Sequence, residues 1–272
     1  MREIIDNIIK KAVNQAGKMS PEEFKNCHKD ESGLYVCSIC GKRKQFNFRG
    51  RIVRAQCLCD QKQEEHDKAE IKRRKTVMKL YEIGITDRRY LSNTFEKDDL
   101  SNPEISQRCR KYVEKWQSMK ANGLGILFYG DVGTGKSFMA CCIGNELIRQ
   151  GVPVLITNLT KLVENRVNAV KRGTQSVNLD AFDLLIIDDL GTENATQTVY
   201  NIIDDWYRSG KPLIVTTNLR PQELKEAEQV ERRRIYDRVV EMCGSIPIYV
   251  KGNQRRYALS QKKREIADKF LS

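Results

Sequence analysis

The pattern of apolar and polar residues changes near the middle of the 272-residue chain. From Asp98 onward, short apolar runs alternate with amphipathic segments, and this alternation is typical of a parallel sheet covered by helices. The candidate strands are 124–129, 153–157, 182–187, 212–217 and 246–250. Segments 195–209 and 231–242 place apolar residues at helical spacing. The sequence therefore predicts an α/β fold with a five-stranded parallel sheet flanked by helices.

The N-terminal part of the chain has a different pattern. Residues 1–19 place seven apolar side chains on one face of a predicted helix, which packs on its own domain or docks on a partner. Residues 60–79 are rich in charge and lack Gly and Pro, which predicts a solvated helical connector. We therefore predict two domains, an N-terminal module with its connector at 1–82 and an α/β domain at 83–272.

Residues 130–137 match G-x-x-x-x-G-K-[ST], the phosphate-binding loop, between a predicted strand and a predicted helix. Glycines let backbone N–H groups point at phosphate oxygens, and the helix dipole adds positive potential. Lys136 is expected to reach the β- and γ-phosphates, and Ser137 to bind Mg²⁺. The predicted ligands are ATP and Mg²⁺, and the predicted nucleotide-binding residues are Gly130, Asp131, Val132, Gly133, Thr134, Gly135, Lys136, Ser137 and Phe138.

Two further candidate strands are followed by polar residues suited to phosphoryl transfer. The run 182–187 precedes Asp188 and Asp189, in the pattern of a Walker B element. Asp188 is expected to hold the Mg²⁺ shell, and Asp189 to polarise the attacking water. Asn218 follows the run 212–217. Because ligands bind at the carboxyl ends of parallel strands, its amide is expected to orient water, unless it caps the next helix.

Nine cysteines include one group with metal-ligand spacing. Cys37 and Cys40 form a C-x-x-C pair, and Cys57 and Cys59 form a C-x-C pair. Four thiolates on a short segment with little core are expected to bind Zn²⁺ and so supply folding energy. Possible substitute ligands are Cys27, His28 and His66. The scattered Cys109, Cys141, Cys142 and Cys243 are predicted to be packing residues.

The segment 41–54 between the two cysteine pairs contains six basic residues and no acidic ones, with Phe46 and Phe48 among them. Basic residues can follow a nucleic-acid backbone while aromatic rings stack on bases. Alternatively, both rings pack beneath the metal and the charges are simply solvated. The sequence alone leaves both interpretations open.

The composition of the chain indicates which partners and which cellular compartment to expect. A net charge of +12 and a pI near 9.2 indicate an acidic partner such as nucleic acid, or a basic surface that favours solubility. We expect no membrane association, because no run approaches the ~18 apolar residues of a membrane span. Charged residues interrupt the apolar pattern of the first helix, so no secretory signal is expected. These features predict a cytoplasmic protein with reduced thiols.

Several motifs follow the phosphate-binding loop in a fixed order: 184–191, 216–218, 234–238 and 252–256. In this order they resemble the AAA+ family of bacterial replicative helicase loaders of the DnaC/DnaI type. Transposition helper ATPases of the IstB type share the same core. The resemblance covers residues 85–272, and segment 90–95 resembles the family's entry segment over the adenine. The cysteine module resembles, more loosely, the zinc-bearing adaptor domains of some loaders.

The resemblance implies roles for individual residues. Asn218 resembles sensor 1 and Arg256 resembles the sensor 2 arginine. Arg238 resembles an arginine finger that acts on the nucleotide of the next protomer, with Arg234 as its competitor. Together with Asp189 these are the predicted catalytic residues. Many AAA+ proteins have Glu at the position of Asp189, so the shorter side chain is expected to give the slow turnover of a switch.

The function implied is an ATP-dependent loader of a hexameric replicative helicase onto single-stranded DNA. The N-terminal module would bind the helicase, the ATPase domain would bind DNA, and subunits would associate through AAA+ interfaces. One alternative is an IstB-type helper ATPase for DNA transposition. Another is a nucleotide-gated DNA-binding adaptor with little hydrolysis.

Overall fold

The computed structural model describes residues 26–192 and 197–252, together with Arg264, Ala267 and Phe270. The chain divides into two compact units, Met1–Arg74 and Lys75–Ser272, whereas the sequence-based boundary follows residue 82. The helix predicted within residues 1–19 lies outside the described residues. Each unit is described by itself below.

The N-terminal unit contains two small antiparallel hairpins. Strands β1 (Cys27–Lys29) and β2 (Tyr35–Cys37) form the first, and β3 (Gln45–Phe48) and β4 (Arg51–Arg54) form the second. The second hairpin closes through two residues with positive φ, Arg49 at 51° and Gly50 at 78°. This is the pattern of a type I′ turn, whose twist suits paired strands.

Helix α1 (Leu58–Gly84) is the solvated connector that the sequence predicts, and it extends beyond the predicted 60–79 at both ends. Its only buried residues in the described chain are Leu80 and Gly84. Ion pairs at i,i+4, such as Lys68 with Glu64 at 2.7 Å, lie along its exposed surface. Such pairs add only a few tenths of a kcal/mol each, so charge patterning alone accounts for little of its stability.

The second unit is built on a five-stranded parallel sheet, whose strands are β5 (Ile126–Tyr129), β6 (Val154–Thr157), β7 (Leu184–Leu190), β8 (Leu213–Thr217) and β9 (Pro247–Tyr249). Their order in the sheet is β6-β7-β8-β5-β9. The predicted five-stranded parallel sheet is therefore confirmed. Its strands are almost continuously apolar because helices cover both faces.

Helices on the two faces of the sheet enclose two apolar cores. They are α2 (Arg88–Leu91), α3 (Pro103–Glu114), α4 (Trp116–Ala121), α5 (Lys136–Arg149), α6 (Leu159–Arg172), α7 (Gln197–Arg208), α8 (Pro221–Lys225) and α9 (Val230–Cys243). Strand β5 shows the alternation: Ile126 and Phe128 join the core with α5, whereas Leu127 joins the core with α7 and α9. Side chains that point to the α5 face at the end of a strand therefore lie on the same side of the sheet as the helix that follows the phosphate-binding loop.

The four scattered cysteines confirm the packing prediction. Cys109, Cys141, Cys142 and Cys243 are all buried. Burial raises the pKa of the Cys109 thiol to about 12, so it stays protonated at neutral pH. Among the described helices, none combines the length and the apolar character needed to cross a bilayer.

Candidate nucleotide-binding and metal-binding sites

The phosphate-binding loop joins β5 to α5, as the sequence predicts. Gly135 caps the helix with φ 105°, in the left-handed region. Gly130 has φ 134°, and a Cβ there would lie 2.6 Å from the Val250 carbonyl oxygen. Any larger residue at position 130 would push the loop away from the chain that follows β9. The loop therefore requires glycine at these positions to bring its backbone N–H groups around a phosphate.

Lys136 links the loop to the end of β8. Its Nζ donates to the carbonyl oxygens of Gly130 at 2.8 Å and Asp131 at 2.7 Å, and to Asn218 Oδ1 at 2.9 Å. An ammonium group has three N–H donors, and these three acceptors occupy them. A bound phosphate must therefore replace one or more of these contacts.

Asn218 lies where the sequence-based argument puts it, beside the phosphate-binding loop. The alternative was that Asn218 only caps the next helix. The N-cap of α8 is Arg220, whose N–H donates to Glu223. The helix-capping alternative is therefore wrong for Asn218.

The sequence-based interpretation ends this strand at residue 187, but in the structure β7 continues to Leu190. Ile187 pairs with Val215 and Leu190 pairs with Thr217, so β7 carries one extra residue here. This bulge holds Asp189 at φ 58°. A left-handed conformation costs a non-glycine residue about 1–2 kcal/mol, although Asp tolerates it better than most. The bulge therefore sets the direction of the two carboxylates.

A threonine connects the two aspartates. The Thr216 hydroxyl donates to Asp188 Oδ1 at 2.6 Å and accepts the N–H of Asp189 at 3.0 Å. Thr216 is fully buried and follows Ile214 on the α5 face of β8. A polar β-branched residue in an otherwise apolar strand is the sequence signal for this role, which the residue-by-residue argument missed.

Tyr90 provides the second contact to Asp188. Its hydroxyl donates to Asp188 Oδ2 at 3.1 Å, in a buried setting. Burial, followed by the charge of Asp188, raises the pKa of Tyr90 well above its usual range, so the phenol stays a donor. Sequence reasoning placed Tyr90 only in a segment over the adenine, and no local pattern indicated this contact.

The residues fit a magnesium ion. Asp188 is 7% exposed, and each of its oxygens keeps a second lone pair after accepting one hydroxyl. Ser137 lies in the first turn of α5, next to Lys136. A hydroxyl together with a carboxylate is a donor set that Mg²⁺ uses beside phosphates.

The segment that precedes the sheet is fixed against α5. The buried Asn145 donates to the carbonyl oxygens of Tyr90 at 2.8 Å and Asn93 at 2.7 Å. The N–H of Thr86 donates to the Ile156 oxygen at 3.2 Å. The two Asn145 bonds hold segment 90–95 to the helix that begins at the phosphate-binding loop, and the Thr86 bond joins the preceding residues to β6.

The two candidate finger arginines differ in their surroundings. Arg238 Nη2 lies 2.7 Å from Asp204 Oδ1 and donates to the Tyr200 hydroxyl at 2.7 Å, so it is engaged within its own chain. Arg234 is exposed, and within the described residues its guanidinium forms no hydrogen bond or ion pair. Glu241, a carboxylate near Arg238 in sequence, instead accepts from Tyr207. The candidate sensor 2 residue, Arg256, lies outside the described residues.

The predicted zinc ligands come together in the N-terminal unit. The sulfur atoms of Cys37, Cys40, Cys57 and Cys59 all lie within 4.8 Å of one another. A tetrahedral zinc ion with Zn–S bonds of ~2.3 Å separates its sulfur atoms by about 3.8 Å. Gly41, with φ 69°, forms the turn after the first pair, and the second pair lies at the start of α1. The cluster can therefore hold zinc.

The protein environment favours thiolate at one member of the cluster. Hydrogen bonds from the backbone N–H groups of Cys40 and Ile39 lower the pKa of Cys37 to about 7. Among the considered substitutes, Cys27 pairs with Cys37 across the first hairpin. His28 bonds Ser38 Oγ at 3.2 Å, and His66 is exposed beside Asp67. The group of converging ligand atoms contains neither histidine and not Cys27.

The sheet order, the phosphate-binding loop and the aspartate pair define an ATP-binding P-loop protein with the AAA+ fold. The profile of the family described as IstB-like ATP binding protein matches residues 61–264. The chain belongs to this family.

The similar proteins include a replicative helicase loader and an insertion sequence ATP-binding protein. The chain is 25% identical over 187 residues to the replicative helicase loader DnaI of Bacillus subtilis. This match covers 61% of this chain and 59% of DnaI. It is also 29% identical over 209 residues to y4iQ/y4nD/y4sD of Sinorhizobium fredii, which is named an insertion sequence ATP-binding protein. That match covers 73% of this chain and 68% of the relative. A crystal structure of DnaI superposes with a TM-score of 0.51 at 22% identity, covering 65% of this chain and 98% of that one.

Proposed function

We propose that this protein is an ATP-dependent loader of a hexameric replicative helicase onto single-stranded DNA. The observation that carries the proposal is the contact between Lys136 and Asn218 at 2.9 Å, which joins the phosphate-binding loop to the end of β8. A phosphate that displaces Asn218 from Lys136 frees the Asn218 amide at the same moment. Nucleotide state is thereby transmitted to a second strand, as a switch requires.

The chain's residues would divide the work of hydrolysis. The loop N–H groups and Lys136 bind the phosphates, and Ser137 and Asp188 hold Mg²⁺, which supplies charge neutralisation. Asp189, fixed by the bulge and by Thr216, accepts a hydrogen bond from the attacking water, and Asn218 orients that water. Arg256 contributes from the C-terminal segment, and an arginine of α9 acts on the next subunit.

The cysteine module favours a loader over a transposition helper. The match to the IstB-like family begins at residue 61, after the last cysteine of the cluster, Cys59. The chain therefore adds a module to the family's common core, and we propose that this module binds the helicase. The transposition helper remains the second candidate because y4iQ/y4nD/y4sD matches over 209 residues at 29% identity.

Helicase loading onto closed circular single-stranded DNA tests the proposal. A hexameric ring cannot thread onto a circle, so stable helicase–circle complexes require a loader. We expect the full chain with ATP to raise their yield at least tenfold, and Lys136→Ala to give none above background. Capture of a transposase by the full chain, without helicase capture or loading, would favour the second candidate instead.

The zinc proposal has its own measurement. Protein purified without chelator is expected to contain one zinc per chain, and Cys57→Ser to contain much less, because three thiolates leave the tetrahedral site open. Cys142→Ser, at a buried cysteine outside the cluster, is the matched control and should keep full occupancy. Full zinc content in Cys57→Ser would contradict the ligand assignment.

A further inference from the structure

The hairpin formed by β3 and β4 exposes aromatic side chains in an unusual setting. Phe46 is 42% exposed and Phe48 is 39% exposed. The sequence left open whether these rings pack beneath the metal. Their exposure contradicts that interpretation, and rings left in water on a small module need another explanation.

The register of the hairpin places both rings on one face. Phe46 pairs with Val53 and Phe48 pairs with Arg51, whereas Asn47 pairs with Ile52 on the opposite face. Alternate residues of a strand lie about 6.6 Å apart. The face therefore presents two rings in a row with a guanidinium beside the second one.

The charge around these rings is positive, and three of the six basic residues of segment 41–54 form no ion pair within the described residues. Arg43 is paired with Asp30 and Lys44 with Asp60, each at 2.8 Å. Lys42, Arg49 and Arg51 are exposed and form no ion pair within the described part of the chain. Segment 41–54 contains no acidic residue that could neutralise them. A surface of this kind fits a flexible polyanion better than a protein, whose interfaces present both signs of charge.

The turn of the hairpin holds a cationic side chain, that of Arg49, beside one of the rings. Arg49 has φ 51°, a conformation that residues other than Gly, Asn and Asp seldom adopt. In this turn its guanidinium carbon lies 5.5 Å from the Phe48 ring centroid. A cation and a ring held together suit a nucleotide, which offers a phosphate and a base.

We propose that the β3–β4 hairpin is a binding surface for single-stranded nucleic acid. Phe46 and Phe48 stack on successive bases, and Lys42, Arg49 and Arg51 neutralise the phosphates between them. This contact lies in the N-terminal unit. It goes beyond the proposed function, in which the ATP-binding unit binds DNA and the module binds the helicase.

A tryptophan reporter in the full chain tests the stacking directly. The two native tryptophans, Trp116 and Trp206, are buried at 3% and 1% exposure, so an added indole can be distinguished by its accessibility to iodide. In Phe48→Trp we expect oligothymidylate to quench the emission in a saturable way, without nucleotide. Ile52→Trp, on the opposite face, should change little. Oligonucleotide binding that leaves the Phe48→Trp emission unchanged would overturn the proposal.

Affinity measurements separate base stacking from apolar docking. Phe46→Ala and Phe48→Ala should each weaken oligothymidylate binding about tenfold, as expected for the loss of one stacked base. Phe48→Leu should weaken it as much, because leucine keeps apolar surface but has no π face. Wild-type DNA affinity in Phe48→Leu, or a loss of helicase binding with DNA binding intact, would show a protein-docking surface and overturn the proposal.

The charged residues are tested by salt dependence. The double substitution Arg49→Ala and Arg51→Ala should lower the slope of log K against log salt by about 1.4, at about 0.7 per phosphate contact. Lys62→Ala, at an exposed lysine of α1, is the control and should leave the slope unchanged. An unchanged slope in the double variant would remove the phosphate contacts from the proposal. Zinc content and circular dichroism verify that each variant is folded.

The two proposals fail in different ways. Normal helicase loading by variants whose oligonucleotide affinity matches the wild type would overturn only the hairpin. Saturable quenching of Phe48→Trp in a protein that loads no helicase would support the hairpin and overturn only the loader.

Discussion

Lys136→Ala is expected to weaken ATP binding at least 100-fold and to reduce turnover to background. Charge-assisted hydrogen bonds contribute about 1.5–3 kcal/mol each, and Lys136 is expected to give two of them to phosphate oxygens. The buried position of Lys136, 5% exposed, raises the effect because the lost charge faces little competing water. A direct titration of labelled ATP, followed by measurement of phosphate release, gives both quantities.

Asn218→Ala is the matched control because it removes the third partner of Lys136 and keeps the cation. We expect this variant to bind ATP within about threefold of the wild type and to lose most of its turnover, since the orienting amide is missing. Both variants should keep the wild-type circular dichroism spectrum. Wild-type ATP affinity in Lys136→Ala would contradict the assignment of the loop, and normal turnover in Asn218→Ala would contradict the role of Asn218.

The parts of the site that sequence predicts are those encoded by neighbouring residues. An apolar run, three glycines and a lysine before an amphipathic stretch can form little else than a strand, a loop and a helix. The cysteine pairs were predictable for the same reason, because ligand spacing within a turn is a local property. The structure confirms the strand, loop and helix in the first case, and in the second it brings the four cysteine sulfur atoms together.

The parts that sequence misses depend on contacts between distant segments. The Tyr90 hydroxyl meets Asp188 across 98 residues of chain, and no periodicity encodes such a pairing. The bulge at Asp189 arises because Leu190 pairs with Thr217, so the end of β7 is decided by its neighbour β8. Asp204 lies inside an amphipathic helix, and no sequence pattern predicted its ion pair with Arg238. Each miss is a tertiary contact that overrides a local pattern.

These contacts also change the expectation for the finger arginine. Resemblance favours Arg238, but its ion pair with Asp204 is three-quarters buried on the arginine side and nearly fully buried on the aspartate side. To reach another subunit, Arg238 would have to leave the carboxylate of Asp204, whose one remaining ion-pair partner among the described residues is Arg208. Arg234 lies one helical turn earlier, exposed and unengaged within the described residues. We infer that Arg234 acts on the neighbouring nucleotide and that Arg238 holds α9 to α7.

Arg234→Ala is therefore expected to lose nearly all turnover alone and to regain it when mixed with Lys136→Ala. A guanidinium that neutralises the transferring phosphoryl group contributes about 10³-fold or more. In a head-to-tail assembly of an equal mixture, about a quarter of the interfaces join an intact loop to an intact Arg234. Phosphate release by the mixture should approach that fraction of wild-type activity.

Arg238→Ala is the matched variant on the same helix, and it should behave differently. Loss of the pair with Asp204 is expected to cost about 2 kcal/mol, because Arg208 still accompanies the carboxylate. For a domain of this size, that loss lowers the melting temperature by about 4–8 °C. Turnover below that temperature should remain, since the guanidinium of Arg234 is untouched. Full activity of Arg234→Ala by itself, together with rescue of Arg238→Ala by mixing, would reverse the two assignments and require the Asp204 pair to open on assembly.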